Sequence, residues 1–504
     1  MNARAANRQF PWPLHRRAQI TLDDRDRARI ATQYGSCVRS GAFLPPAARF
    51  GSDIASGYLD APMAVLEDHR AIDLMPQESV PLYEYRSYGL ARAGDVFVLS
   101  RERLPAYECY VDQVLGLASP HVLQVDRGNP GAPDALANAC RRDAKALDRL
   151  CEVAANAGGF NILPYLSSGH SWLLAADIAR RTGVPVRACC PPPKLARRVN
   201  DKLWFSTQVR QLLGIQALPP TFSVFGPAAA AVYMRKLSRK HSRVVVKLPS
   251  SAGSMGNIAF DAGNVRQTSV GALKALLLQQ LEAVGWTGRY PILVGVWETG
   301  ALSSPSVQMW LPESLHAAPI IEGLFDQTLE GERQQFIGAT SLALPDRLQS
   351  RILYEATMIA SLVQRLGYVG RLSLDALIVG EDFSSADLHW IECNGRWGGV
   401  SIPMTLAARL GVDLQAHNCV IVQRPVAGLA LPDFDVLIEQ LGSSIYRPGA
   451  KEGVVFTEPV GPGERGVSFF AVAASTSRSQ ELALEVIDQI TALATTPHQV
   501  EAMQ

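Results

Sequence analysis

Hydrophobic and polar positions alternate in blocks through the first part of the chain. Between residues 95 and 188, short apolar runs at 96–99, 122–125 and 160–166 are separated by helix-like stretches at 135–155 and 172–181. Short strands that alternate with helices predict a parallel sheet with helices on its faces. The prolines at 191–193 interrupt regular structure, so we place a domain boundary just after them.

A different pattern follows this boundary. It predicts an amphipathic helix up to residue 214, a long helix at 345–366, and apolar strands at 244–247, 292–297, 307–311, 320–324, 372–379 and 388–392. Beyond residue 432, strands at 453–456 and 467–473 and a helix at 480–493 predict a small α+β unit. Because 504 residues exceed the usual size of one core, we expect an α/β protein of three domains, 1–195, 196–430 and 431–504.

Composition excludes several classes of protein. Lys plus Arg (48) nearly cancel Asp plus Glu (47), so the chain lacks the charge excess of a duplex nucleic-acid binder. The eight cysteines show no C-x-x-C spacing for zinc or redox chemistry. Residues 1–17 carry arginines but no apolar run of signal-peptide length, and no later segment has the pattern of a membrane span. We therefore expect a cytoplasmic protein whose first residues form a loose arm.

A loop rich in serine and glycine follows the apolar strand that ends at Lys247. Residues 250–257 read SSAGSMGN, and small residues let main-chain N–H groups approach phosphate oxygens. A lysine at the end of such a strand is a suitable partner for a phosphate. The alternatives are a plain hairpin loop and a lysine that extends from the sheet edge into water.

Acidic residues give a stronger signal. Asp375 lies in the strand at 372–379, and after a turn the next strand carries Glu392 and Asn394. Residues two apart share a face of a strand, and a hairpin partner can bring Asp375 opposite them. Oxygen donors of this kind suit Mg²⁺ that bridges a protein to ATP phosphates. Alternatively, the two carboxylates are surface groups paired with Arg371 and Arg396.

The segment after these residues reads GRWGG, at 395–399. Its glycines allow close backbone approach, and Arg396 is suited to a two-pronged grip on a phosphate or a carboxylate. The competing interpretation is a turn that caps the following helix.

Together these motifs resemble the ATP-grasp superfamily over about 200–412. The most specific part is Asp375 with WIECNGRWGG, and NDKLWFSTQVRQLLGIQALPPT resembles the start of the family's nucleotide lobe. The resemblance implies ATP and Mg²⁺ as cofactors, with the metal held by Asp375, Glu392 and Asn394, and with catalytic roles for Lys247 and Arg396. It also implies that ATP phosphates are contacted by Lys202, Lys247, Ser250, Ser251, Gly253, Ser254 and Gly256.

One stretch departs from the family pattern. Where many relatives place acidic residues beside adenine and ribose, this chain reads ILVGVWETGALSSPSVQMWL, and Glu298 is the one acid there. Adenine and ribose contacts are therefore assigned to Val296 and Glu298 by position alone.

The upstream segment GFNILPYLSSGHSWLLAADIARRTGVPV resembles the pre-ATP-grasp domain, a Rossmann-like unit that precedes this lobe. With the small C-terminal unit, the arrangement looks most like the pheganomycin-type peptide ligases. The resemblance implies a ligase that activates a carboxylate as an acyl phosphate and couples it to an amine of an amino acid or peptide, in specialised metabolite biosynthesis. It also implies small-molecule substrates and a homodimer. Two alternatives stay open, a carrier-protein thiol as acceptor and a noncatalytic nucleotide-binding protein.

Overall fold

The fold is taken from a computed structural model that describes residues 11–15, 18–40, 47–72, 74–75, 77–251, 255–332, 334–414, 416–425, 431–462, 464 and 466–494. Within these ranges, none of the helices combines the length and the apolar character needed to cross a membrane. Three sheets organise the chain, one parallel and two built from antiparallel pairs.

The first sheet contains six parallel strands in the order β1-β6-β5-β2-β3-β4. In chain order, the elements from residue 24 to residue 188 are α1 (Asp24–Arg39), α2 (Ala47–Phe50), β1 (Ile54–Ser56), β2 (Met63–Leu66), a 3-10 helix (Gln77–Leu90), β3 (Val96–Leu99), α3 (Pro105–Cys109), a π-helical turn (Tyr110–Val114), β4 (His121–Gln124), α4 (Leu136–Arg142), α5 (Ala144–Ala157), β5 (Phe160–Pro164), α6 (Gly169–Thr182) and β6 (Val186–Ala188). Strands β2, β3 and β5 are buried along their whole length, which explains their continuous apolar runs. The alternation of strands and helices predicted from the sequence is therefore present.

The second sheet is a small antiparallel lobe with strand order β7-β10-β8-β9. In chain order, the elements from residue 193 to residue 296 are α7 (Pro193–Val199), α8 (Lys202–Leu213), a 3-10 helix (Ile215–Ala217), β7 (Thr221–Val224), α9 (Pro227–Ser238), β8 (Arg243–Lys247), β9 (Asn257–Asp261), α10 (Ala262–Gln267), α11 (Val270–Ala283) and β10 (Ile292–Val296). Met234 of α9 and Leu277 of α11 pack with Val246 of β8 in one apolar core. Helices therefore cover one face of this lobe.

The third sheet is the largest. Its elements are β11 (Ala301–Ser303), β12 (Pro305–Leu311), β13 (Ile320–Glu330), β14 (Gln335–Ser341), α12 (Asp346–Arg365), β15 (Gly370–Val379), β16 (Asp387–Asn394), α13 (Ser401–Arg409), β17 (Asn418–Pro425), α14 (Phe434–Leu441), a 3-10 helix (Gly442–Ser444), β18 (Gly453–Phe456), β19 (Gly466–Ala473) and α15 (Thr476–Leu493). Strand β15 pairs with β16 on one side and with β11 and β12 on the other. The sheet then continues in the order β12-β13-β14-β17-β19-β18.

The C-terminal segment has the predicted α+β composition, but its strands do not form a sheet of their own. Strand β19 pairs with β17 along eight residues, from Asn418 opposite Ala473 to Pro425 opposite Gly466. Both C-terminal strands thereby extend the largest sheet. The proposed boundary at 430 lies outside the described residues, so the division into three domains stays a prediction.

The loose arm that the sequence predicts at the start of the chain is packed against the fold at Trp12. Trp12 is only 4% exposed, and its indole N–H donates to the carbonyl of Leu90 at 2.9 Å. The ring packs edge-on against Trp397 at 5.3 Å and Trp310 at 6.4 Å. The expectation was wrong for residues 11–15 because it weighed the arginines and not the apolar surface of one large aromatic side chain.

Replacement of Trp12 by alanine is expected to destabilise the folded protein. It removes none of the proposed catalytic or binding residues. Loss of a buried indole from this packing costs about 3 kcal/mol. Urea denaturation followed by circular dichroism should show a lower transition midpoint for Trp12→Ala. Phe225→Ala removes an aromatic ring that is 75% exposed and should leave the midpoint unchanged. Equal midpoints for wild type and Trp12→Ala would show that the first residues contribute nothing to the fold.

Candidate active site

The β15-β16 hairpin brings the predicted acidic residues together. Asp375 lies directly opposite Glu392, and Ser373 lies opposite Asn394. The side-chain amide of Asn394 donates to Asp375 at 2.8 Å, and the hydroxyl of Ser306 on β12 donates to the other oxygen of Asp375 at 2.6 Å. The two-residue period of antiparallel strands explains this arrangement. The sequence-based placement of these three residues is therefore correct, whereas their role as metal ligands stays a prediction.

The surroundings of Asp375 disfavour its negative charge. Burial and the nearby negative charge of Glu392 raise the pKa of Asp375 to about 7. Hydrogen bonds from Ser306 and Gln327 and the charge of Arg396 act in the opposite direction but do not cancel the effect. Two carboxylates that share a site in this way favour a cation between them.

Glu392 responds differently because it has a cationic partner. Its carboxylate lies 2.7 Å from the ammonium of Lys202, and it keeps 23% of its side-chain surface accessible. Burial raises the pKa of Glu392, but the charges of Lys202, Arg396 and Lys247 outweigh burial and lower the pKa overall. Glu392 therefore keeps its negative charge more readily than Asp375. The alternative that Arg371 neutralises these carboxylates is wrong, because Arg371 bonds to Glu322 and Thr405.

Lys202 joins three parts of the site. It is the first residue of α8, after the cap Asp201, and only 8% of its surface is exposed. Besides Glu392, its ammonium contacts the carbonyl of Ser251 at 2.5 Å. Lys202 therefore connects the glycine- and serine-containing loop to the acidic hairpin.

Lys247 lies at the end of β8, where its neighbours disfavour its charge. Burial and the positive charge of Lys202 lower the pKa of Lys247 to about 8, although Glu392 and Glu298 act to raise it. This lysine does not extend into water as the alternative interpretation required. Two ammonium groups so close together form a site that favours an added anion, such as a phosphate.

The loop after Lys247 is compact where it is described. Ser251 is 5% exposed, and its hydroxyl donates to the carbonyl of Leu248 at 2.9 Å. A Cβ atom at Gly256 would lie 2.2 Å from the Ser251 hydroxyl oxygen, so a glycine is required there. Ser250 is exposed. Gly253 and Ser254 lie outside the described residues, and the phosphate-binding role of the loop stays a prediction.

In the proposed adenine-binding stretch, two backbone N–H groups already donate hydrogen bonds within the protein. The amide of Val296 donates to the Pro220 carbonyl at 3.0 Å, and that of Trp297 donates to the Arg243 carbonyl at 3.2 Å. A base would have to use carbonyl oxygens or the amide of Glu298. The carboxylate of Glu298 lies 3.2 Å from Nδ1 of His389 on β16, a residue that no sequence motif selected. The nucleotide contacts of Val296 and Glu298 stay predictions.

A cavity of about 510 Å³ adjoins the acidic hairpin. Four of the predicted residues line it, namely Asp375, Glu392, Asn394 and Arg396. Lys202 and Lys247 are not part of its lining and act on it through Glu392. The charge of Arg396 acts on both carboxylates, so the cavity meets the hairpin at a strongly polar end.

The opposite wall of the cavity was not predicted. It includes His69, Tyr83, Arg86 and Tyr165 from the first part of the chain, and Glu458 from the last. His69 and Tyr165 follow β2 and β5, at the carboxyl ends of parallel strands, where ligands commonly bind in such sheets. The tendency of ligands to bind at the carboxyl ends of parallel strands was the one sequence-based indication that could have selected His69 and Tyr165.

The described residues contain no cluster of three or more His, Cys, Asp or Glu side chains that could hold a metal ion. The candidate donor set is two carboxylates and the amide oxygen of Asn394, which is left to face outward because its nitrogen donates to Asp375. These are the hard oxygen donors that Mg²⁺ prefers, and Mg²⁺ commonly relies on one or two carboxylates. The residues therefore fit a magnesium ion.

Comparison with known proteins agrees with this architecture. Residues 84–180 match the family model of the Pre ATP-grasp domain. No curated protein matches the chain by sequence. The predicted α/β class, with a pre-ATP-grasp domain ahead of an ATP-grasp fold, is confirmed by this match and by solved structures.

Three solved structures illustrate the similarity, each with a TM-score of 0.50. The biotin carboxylase domain of Hydrogenobacter thermophilus 2-oxoglutarate carboxylase, in complex with MgADP, ADP and bicarbonate, is 12% identical, over 86% of this chain and 90% of that one. N5-carboxyaminoimidazole synthase from Aspergillus clavatus, in complex with ADP and 5-aminoimidazole ribonucleotide, is 11% identical, over 85% of this chain and 98% of that one. Biotin carboxylase from Campylobacter jejuni is 13% identical, over 86% and 92%. Identities this low concern the fold alone.

Proposed function

We propose that this chain is an ATP-dependent ligase that activates a carboxylate as an acyl phosphate and couples it to an amine. The observation that carries the proposal is the meeting of Lys202 and Lys247 with Asp375 and Glu392 beside a cavity. Such a site combines positive charge for phosphate groups with oxygen donors for a divalent cation. Proteins of this fold have been solved with MgADP or ADP, which supports ATP and Mg²⁺ as cofactors.

Asp375, Glu392 and Asn394 would hold Mg²⁺, which when bound neutralises charge on the phosphates. Lys202 and Lys247 add positive charge on the other side of Glu392. Their role is to position the nucleotide and to offset the charge that develops during phosphoryl transfer.

Arg396 faces the cavity beside both carboxylates. In this proposal its guanidinium orients the substrate carboxylate for attack on the γ-phosphate, where the bond to the bridging oxygen breaks and ADP leaves, and later stabilises the tetrahedral oxyanion. The amine attacks the carbonyl carbon of the acyl phosphate, the bond from carbon to the phosphate oxygen breaks, and inorganic phosphate leaves. The ammonium proton of the amine goes to solvent or to a group of the site.

The finer features are proposals as well. We place the protein among peptide ligases, with an amino acid or peptide as the amine, in the cytoplasm, in specialised metabolism and as a homodimer. The residue pattern of the hairpin supports the activation step more strongly than it supports the nature of the acceptor. A carrier-protein thiol as acceptor and a noncatalytic nucleotide-binding role are the alternatives.

Release of ADP and phosphate from ATP tests the proposal. The assay pairs a panel of amino acids, peptides and bicarbonate as acids with amino acids and peptides as amines, in the presence of Mg²⁺. ADP release that requires an acid and rises with an amine is the expected result, and the mass of the product shows whether an amide forms. ATP binding without stimulated turnover by any pair would favour the noncatalytic alternative.

Lys247 predicts a characteristic dependence of ATP binding on pH. Since its pKa lies at about 8, the free protein loses this ammonium as pH rises through that value. A bound phosphate stabilises the ammonium, so the affinity should be constant below about pH 8 and fall up to about tenfold per pH unit above it. Dissociation constants measured from about pH 7 to 9.5 check this.

Lys247→Met should remove the pH dependence, whereas Lys240→Met, which alters an exposed lysine of the same lobe, should retain it. An unchanged slope in Lys247→Met would mean that another group titrates.

A further inference from the structure

Arg86 is placed by the 3-10 helix Gln77–Leu90. Side chains three residues apart eclipse one another in such a helix, so Arg86 lies over Tyr83, with its guanidinium carbon 5.9 Å from the ring centre. The same carbon lies 5.9 Å from the ring of Tyr165, which follows β5. Two tyrosines from separate parts of the chain therefore flank this guanidinium.

The flanking rings are themselves fixed. His69 stacks on Tyr83 at 4.3 Å and on Tyr165 at 4.2 Å, with nearly parallel planes. The imidazole in turn contacts the carboxylate of Glu67 at 2.8 Å. This packing limits the rotamers of the aromatic side chains that flank Arg86, so the surroundings of its guanidinium are preorganised.

Arg86 is only 8% exposed, yet it lines the cavity. Glu67 and Glu458 lie close enough to favour its charge, and burial alone would lower its pKa, but the pKa of Arg86 is raised overall. Neither carboxylate is within ion-pair distance, and the described part of the chain offers the guanidinium no hydrogen-bond acceptor. Its N–H groups are not among the buried donors that lack a partner, so they have access to the cavity, where a ligand can accept hydrogen bonds from them.

The planar shape of the Arg86 guanidinium indicates which chemical group it is suited to bind. Its planar fork matches a carboxylate, which accepts two parallel hydrogen bonds. The aromatic rings beside the guanidinium lower the local polarity, which strengthens such a bond. A carboxylate bound there differs from the one that is activated, because Arg396 lies at the hairpin end, beside Asp375 and Glu392.

Both arginines line one cavity. The amide of Trp397, next to Arg396, donates to the carbonyl of Tyr165 at 3.1 Å. Tyr165 is therefore linked to both arginines, because its ring flanks Arg86 and its carbonyl accepts from the residue next to Arg396. A substrate pair that fills both positions carries two carboxylates, of which one is consumed.

We propose that Arg86 binds the free carboxylate of the amine substrate, so that the acceptor is an amino acid or a short peptide that keeps its carboxylate in the product. This assignment rests on the proposed ligase function and identifies a residue that would recognise the acceptor. Glu458 lines the same cavity and supplies negative charge near Arg86, which suits a substrate that enters with an ammonium group as well.

Wild-type protein gives the first test, which needs no variant and no turnover. Calorimetry in the absence of ATP compares proteinogenic amino acids and dipeptides with their primary amides, which keep the amine and lose the carboxylate charge. The expected result is that at least one acid binds and that its amide binds about 100-fold more weakly. Equal affinity of acid and amide, or binding of neither, would overturn the assignment.

Variants then assign the effect to this residue. Arg86→Gln should weaken the acid about 100-fold and leave the amide unchanged, so that discrimination disappears, and Arg86→Lys should restore part of it. Arg424→Gln removes an exposed arginine from the same cavity and should keep the discrimination. Retained discrimination in a folded Arg86→Gln protein would contradict the proposal, as would loss of it in Arg424→Gln.

ADP release separates this proposal from the proposed function. If acids and amides stimulate ATP-dependent coupling equally, the ligase function stands and the role of Arg86 fails. If acids bind selectively but no pair releases ADP, the carboxylate site stands and the ligase function fails. Discrimination that follows the acid partner instead of the amine partner also overturns the assignment to the acceptor.

Discussion

Glu392→Gln is expected to lower the kcat of ATP-dependent ligation by about 1,000-fold, with a much smaller effect on ATP binding. The substitution preserves the shape of the side chain but removes the charge that pairs with Lys202 at 2.7 Å and faces Asp375 across the hairpin. It therefore removes a proposed magnesium ligand and leaves Lys202 without its counter-charge. ATP should still bind, because both lysines and the loop remain.

The measurement compares kcat for ADP release with the dissociation constant for ATP. Glu381→Gln is a matched control, since it makes the same change at an exposed position in the turn of the same hairpin. Full activity of Glu392→Gln would show that the metal assignment is wrong. An equal loss in Glu381→Gln would show that the hairpin is merely sensitive to substitution.

Arg396→Met is expected to lower kcat by about 100-fold, the usual cost of removing one group that stabilises an oxyanion. Arg396 faces the cavity, and its charge acts on Asp375 and Glu392. Because the guanidinium is proposed to act on the acyl group and not on the nucleotide, ATP affinity should change little.

Arg396→Lys should recover only part of the activity, since an ammonium cannot form the two parallel bonds of a guanidinium. Steady-state kinetics with an active substrate pair, together with ATP titrations, check both variants. A variant that loses ATP binding but keeps kcat would place Arg396 at the nucleotide instead.

The core of the candidate site could be predicted because it is local. Asp375, Glu392 and Asn394 belong to one hairpin, so the two-residue period of strands is enough to bring them together. Lys247 could be selected for the same reason, as a charged residue that ends an apolar strand. These inferences needed no knowledge of contacts between distant parts of the chain.

What could not be predicted depends on distant contacts. The ion pair of Lys202 with Glu392 joins residues 190 positions apart, and the position of Lys202 came from family resemblance. Arg86 reaches the cavity only because a 3-10 helix and a parallel sheet meet the hairpin there. Trp12 is buried against aromatic residues far along the chain. The pattern of hydrophobic and polar residues within a segment does not predict which distant residues the segment will contact.

The C-terminal strands show the same limit in a different form. Their alternation predicted β18 and β19 well, but pairing with β17 is a property of the whole sheet. A strand pattern predicts that a segment will pair with another strand, but it does not predict which strand that is.

Transfer of oxygen from the substrate carboxylate to phosphate tests the central claim most directly. The acid of an active pair is labelled with ¹⁸O in its carboxylate, and the phosphate released with ADP is analysed by mass spectrometry. Activation as an acyl phosphate predicts one labelled oxygen in the inorganic phosphate, because the amine displaces that oxygen from the carbonyl carbon. Unlabelled phosphate, or label in AMP instead, would contradict the account.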